Sequence, residues 1–200
     1  MPAAHHNLTI PDHKMLRAEA EREVKEELGA IARPDERFKR GCEIVQQADL
    51  EIAAHTEERN QAALSLWFYE GIRGLDKVLG ILPNAYSEMR RIALHGDKKA
   101  TINPGGDLKA RMTAEERRRA AEKAGVPYIE DAADRLPSLA ATVSVATARR
   151  KAAMPFLYDV TLVLTEEPYE WTTDRIAAHG DVTPAYVRNL KSRANRRRGR

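Results

Sequence analysis

The stretch Thr173-Asp-Arg-Ile-Ala-Ala-His-Gly-Asp-Val-Thr-Pro-Ala-Tyr-Val-Arg-Asn-Leu-Lys-Ser192 decides how this chain reads. Ile176 and Ala177 are the inward positions of a short first helix, Gly180 and Asp181 make a turn, and Val182 plugs the corner. Thr183 is an N-cap, its side-chain oxygen available to the unpaired N–H groups of the next turn. Pro184 takes the first helical position, where a missing N–H costs nothing. Val187 and Leu190 continue the buried face of a second helix. Left outward are Ala185, Tyr186, Arg188, Asn189, Lys191 and Arg193, side chains able to reach base edges or phosphates. Thr172 and Thr173 before them, and Ser192, Arg196, Arg197 and Arg198 after, complete a candidate DNA-contacting set.

Two short helices around a tight corner in this pattern resemble the helix-turn-helix class of DNA-binding proteins. Ala177 matches the small residue of the first helix, and Val182, Val187 and Leu190 match the apolar positions of the turn and second helix. The chain departs from the class at the turn, where Asp181 stands in the usual Gly position and Gly180 comes one residue early. Asp tolerates a left-handed backbone better than most residues. The resemblance implies sequence-specific binding of double-stranded DNA, with the helix over 183–196 in a major groove. Transcriptional regulation is the leading expectation. A plasmid- or phage-type segregation, replication or nucleoid-organising factor would use the same contact, whereas a helical protein-binding adaptor would need none.

Charge supports the DNA reading by its placement. The 200 residues carry a formal net charge of only +3, too little for a general polyanion coat. After Asp181, however, Arg188, Lys191, Arg193, Arg196, Arg197, Arg198 and Arg200 follow without a single acid. If half of them met phosphates, binding would fall with salt at a log–log slope of roughly −3. The single cysteine, Cys42, rules out an internal disulfide and a cysteine-based zinc site and points to a reducing, cytoplasmic compartment, where the DNA-binding expectation implies a nucleoid-associated location. No apolar run approaches membrane-spanning length, so no membrane role is expected. The start of the chain lacks the apolar core of a signal peptide.

Ala and Arg are abundant and strand-favouring runs scarce, which predicts an all-α, multi-helix protein. Residues 1–11 read as a disordered N-terminus. A long helical hairpin follows, one arm from Asp12 to Ala32 with Leu16, Ala20, Val24, Leu28 and Ile31 on one stripe. The second arm starts at Pro34, with Phe38, Cys42, Val45, Ala48 or Asp49, Ile52, His55, Arg59, Ala62 and Leu66 in its seam. That hairpin either folds back on itself within one chain or zips to a second copy as a homodimer, although Asp49, His55 and Arg59 weaken any long coiled coil.

A second candidate corner lies inside the 12–100 segment. A leading helix over Leu64 to Gly71 precedes Leu75 and Leu79, then Gly80 at the turn, Ile81 in the corner, and Pro83 opening a helix with Tyr86, Met89 and Ile92 inward. Its outward residues are Asn84, Ser87, Glu88, Arg90 and Arg91, of which Asn84, Ser87, Arg90 and Arg91 are further candidate DNA contacts. Asp76 departs from the pattern, standing where the class places Ala. Asn103-Pro-Gly-Gly106 marks a linker over 101–112. The helical domain expected over 113–194 opens with a Thr113-x-x-Glu116 capping box. Gly125 stops that helix, and its corner fails as a third motif because Asp131 and Asp134 stand at inward positions. Three more helices are expected, over 128–136, 139–154 and 156–166, broken at Pro137 and Pro155. Residues 195–200 read as a basic tail.

No enzymatic role, cofactor or metal is expected. The Gly-x-Ser-x-Gly, Gly-x-Gly-x-x-Gly and P-loop patterns are absent. His5, His6 and His13 have no carboxylate or cysteine at ligand spacing, so only adventitious metal binding is expected of them. His55, His95 and His179 stand alone, and Glu26-Glu27 and Glu166-Glu167 read as solvated helix carboxylates.

Overall fold

In the computed structural model, which describes residues 8–100 and 112–199, all regular structure is helical. The helices are α1 (His13–Ala30), α2 (Pro34–Ser65), α3 (Leu75–Leu79), α4 (Pro83–His95), α5 (Ala114–Ala124), α6 (Ala132–Thr165), α7 (Thr173–His179) and α8 (Pro184–Arg197). The expected disordered start falls mostly, and the 101–112 linker almost wholly, outside the described residues, as do His5, His6 and Arg200. No described helix is long and apolar enough to cross a membrane.

The chain divides into two compact units that do not follow the expected order of 12–100 and then 113–194. One unit contains residues 1–13 and 53–143; the other contains 14–52 and 144–200. The reason lies in two long helices. α2 and α6 each give one half to each unit, and within each unit their segments run antiparallel. In the second unit Arg150 donates to Asp49 at 2.7 Å and Arg149 faces Glu51 at 3.9 Å. In the first, Arg135 pairs with Glu58. Of the polar residues in the middle of the α2 seam, Asp49 is thus ion-paired to α6, while half-buried Arg59 donates to the Asn60 side chain at 2.8 Å.

The three helices expected over 128–166 are one. α6 passes through Pro137 and Pro155 without ending. An interior proline removes a hydrogen bond and costs about 3 kcal/mol. Burial on either side of each ring offsets that cost: Leu136, Ala140 and Val143 are sealed around the first, Ala152, Ala153, Leu157 and Val160 around the second. Tertiary packing thus overrides the local break signal.

In the first unit, α2 ends in a π turn over Leu66–Glu70, stopped by Gly71 at φ 73°. The expected leading helix over 64–71 is therefore the tail of α2. Leu66 and Phe68 are fully buried there, and Trp67 meets the Phe68 ring edge-on at 4.5 Å. Buried Ser65 accepts a 2.8 Å hydrogen bond from the Ile129 N–H. α3, α4, α5 and the start of α6 close this unit, with Tyr86 buried as expected but Ile92 half exposed. His13 belongs to the core: its ring is buried, with Nε2 2.8 Å from the Val78 carbonyl oxygen.

The second unit is built on Phe38, Cys42 and Val45 of α2, Val24 and Leu28 of α1, and Leu157, Val160 and Leu164 of α6. Against this floor lie α7 and α8 through Ile176, Ala177, Val187 and Leu190. Of the two alternatives for the hairpin, its apolar residues in this unit follow the fold-back within one chain.

Candidate nucleic-acid interface

The corner at 180–183 forms from local chemistry. Thr172 caps α7, its hydroxyl accepting from the Arg175 N–H at 3.3 Å. Trp171 stacks beneath the Arg175 guanidinium, 4.0 Å from ring centre to Cζ, and meets the His179 ring edge-on. Asp181 is left-handed, φ 51°, and the Val182 N–H reaches back 3.0 Å to the Ala177 carbonyl to close the helix end. Gln46 donates to the Asp181 carbonyl at 2.9 Å, tying the turn to α2. Thr183 then caps α8 by accepting from the Tyr186 N–H at 3.2 Å, with Pro184 opening the helix.

Gly180 has an ordinary φ of −93° and is needed for space instead. A Cβ there would lie 2.5 Å from Phe38 Cε1 and 3.0 Å from Cys42 Sγ. This explains the shifted glycine: Asp181 takes the strained backbone, and Gly180 lets the corner sit on α2. An L-residue in the left-handed region costs about 1–2 kcal/mol, less for Asp. Asp181→Gly should therefore raise stability by at most about 1 kcal/mol, and Asp181→Val lower it by about 1–2 kcal/mol. Denaturant midpoints check both signs.

α8 buries Val187, Leu190 and Ala194 and turns its other faces outward. Thr172, Thr183, Ala185, Arg188, Asn189, Lys191, Ser192, Arg193, Arg196, Arg197 and Arg198 are exposed, while Thr173 is half-buried. Arg188, Lys191 and Arg196 form no ion pair among the described residues. The basic residues beyond them are not a loose tail, because α8 continues through Arg197. Arg193 lies 3.4 Å from the Tyr158 hydroxyl, Arg197 stacks 5.5 Å over the same ring, and Arg198 pairs with Glu166 at 3.1 Å.

Tyr186 does not join the outward set. It is half-buried, its hydroxyl is 3.8 Å from Met154 Sδ, and burial pushes its pKa up to about 12. An aromatic ring at this position packs more favourably on the core than in water.

The α4 candidates fare differently. Asn84 is exposed, but Ser87 and Arg91 are half-buried. Arg90 packs over the Trp67 and Tyr86 rings at 4.6 and 4.9 Å and donates to Ser87 Oγ at 3.1 Å. Burial lowers its pKa. The expected outward Arg90 is therefore held by an aromatic platform that spacing alone does not reveal.

The chain matches no family model, no curated protein and no solved structure. The interface therefore rests on its own residues. Sequence reasoning missed Gln46 altogether and placed Phe38 in the hairpin seam without its role under the corner, both residues being distant in the chain from the turn they support. The trace of that support in the sequence was Gly180 standing outside the expected pattern.

Proposed function

We propose that the chain binds double-stranded DNA with sequence preference, through α8 in a major groove, and that it acts in transcriptional regulation without catalysing a reaction. The observation that carries this reading is the outward face of α8. Arg188, Asn189, Lys191 and Ser192 stand exposed on a capped helix whose opposite face is locked into the core. A recognition helix needs this combination: rigid seating, polar side chains for base edges, and cations for phosphates.

Roles follow from position. Ala185 and Asn189, near the start of α8, suit base contacts, Asn by pairing with adenine and Ala by meeting a thymine methyl. Arg188, Lys191 and Arg196 suit phosphates. Thr172 and Thr183 already serve as caps, which leaves their hydroxyls a secondary part. A segregation or nucleoid-organising role shares this contact and differs in cooperative spreading over repeated sites, which a footprint on long DNA distinguishes.

The test begins with selection of bound fragments from random DNA. On the selected site, Asn189→Ala should cost about 1–3 kcal/mol and relax preference at one base pair only. Equal weakening on every sequence would remove Asn189 from base reading. Absence of binding to any duplex at low salt would favour the protein-binding adaptor.

A further inference from the structure

The two corners are built alike, beyond the turn itself. In each, a long helix leads to a short one, a left-handed residue follows (Gly80 at φ 64°, Asp181 at φ 51°), and proline opens the next helix. The residue after the left-handed one bonds back to the same place, Ile81 to the Asp76 carbonyl at 3.1 Å and Val182 to Ala177 at 3.0 Å. The long helices also correspond. Buried Phe38, Cys42, Val45 and Ala48 of α2 are matched at identical spacing by Leu136, Ala140, Val143 and Ala146 of α6. At the same offset, Ala62, Ala63, Leu64 and Leu66 are matched by Val160, Thr161, Leu162 and Leu164. Each compact unit combines the first half of one long helix with the second half of the other, and with the corner that follows the latter.

We propose that α1–α4 and α5–α8 are two copies of one module with exchanged long helices, and that α4 is a reading helix that has kept its frame and lost its exposed cations. Each chain then offers duplex DNA one working corner. Aligned on their corners, the exposed α8 residues Asn189, Arg193 and Arg196 correspond to exposed Glu88, Ile92 and His95 of α4. Lys191 corresponds to Arg90, which is occupied by Trp67 and Tyr86. An acid and an apolar side chain thus stand where α8 carries a polar and a cationic one, and Arg91, opposite Ser192, is half-buried, so α4 has the geometry with a much weaker attraction.

This inference rests on the α8 reading, and the test separates the two. The full-length chain with Arg188→Ala, Lys191→Ala and Arg196→Ala serves as a parent with its second corner disabled. Into it go Glu88→Asn, Ile92→Arg and His95→Arg, all at exposed positions. A fluorescent duplex of mixed sequence is titrated at several salt concentrations. The graft is expected to restore binding at least tenfold over the disabled parent, with a salt slope of about −2 from its two added cations. In the unaltered chain, Asn84→Ala should change affinity less than twofold.

Restoration no greater than that from the same charge gain on α5 (Ala114→Arg, Glu115→Gln, Glu122→Gln) would overturn the proposal. So would a tenfold loss from Asn84→Ala, which would make α4 a working contact already. A disabled parent that binds as tightly as the unaltered chain would overturn the α8 reading and this inference with it.

Discussion

Phe38→Ala is expected to destabilise the chain by about 3–5 kcal/mol, the usual cost of emptying a large aromatic site in a core. Phe38 is fully buried, and its ring sits under Gly180 at the α7–α8 corner. The reciprocal change, Gly180→Val, places new carbons on that same ring and should cost at least the 1–3 kcal/mol typical of overpacking. Because the two residues touch, their effects should not add. Phe38→Leu with Gly180→Ala should lose less than the sum of the single changes, since the smaller side chain vacates the space the new methyl enters. Chemical denaturation of the four chains measures the coupling. Strict additivity would mean that the corner does not rest on Phe38.

The second large effect concerns binding with the fold intact. Arg188→Ala, Lys191→Ala and Arg196→Ala together should weaken duplex binding by on the order of 100-fold at low salt. The log–log salt slope should become shallower by about 3 units, nearly one for each lost phosphate contact. All three side chains are exposed, so the melting temperature should hardly move. Arg198→Ala makes the internal comparison: its guanidinium is paired with Glu166, and its loss should change the slope less than that of Lys191. An unchanged slope in the triple variant would remove α8 from the phosphate contact.

Much of this corner was legible from residue order. Thr183-Pro184 marks a helix start by capping chemistry that needs no tertiary partner, and the apolar spacing of Val187 and Leu190 fixes which face is buried. The arms of the hairpin were legible for the same reason, each carrying a regular apolar stripe. What failed to show depended on partners far away in the chain. Pro137 and Pro155 read as breaks until the buried residues around them are counted. Tyr186 and Arg90 read as outward until Met154, Trp67 and Tyr86 are placed beside them. The interleaving of the two units was hidden altogether, because helical periodicity records which face is covered and not which segment covers it.

Cys42 turns this geometry into a clock. Its thiol is buried beside Gly180, under the corner, and burial pushes its pKa up to about 12. Only the thiolate attacks a disulfide reagent, so labelling must wait until α7 and α8 lift away and water reaches the sulfur. With one cysteine in the whole chain, the labelling rate reports a single event. It times how often α8 leaves its seat, and if α8 is the proposed contact, a duplex that holds that helix down should slow the ticking.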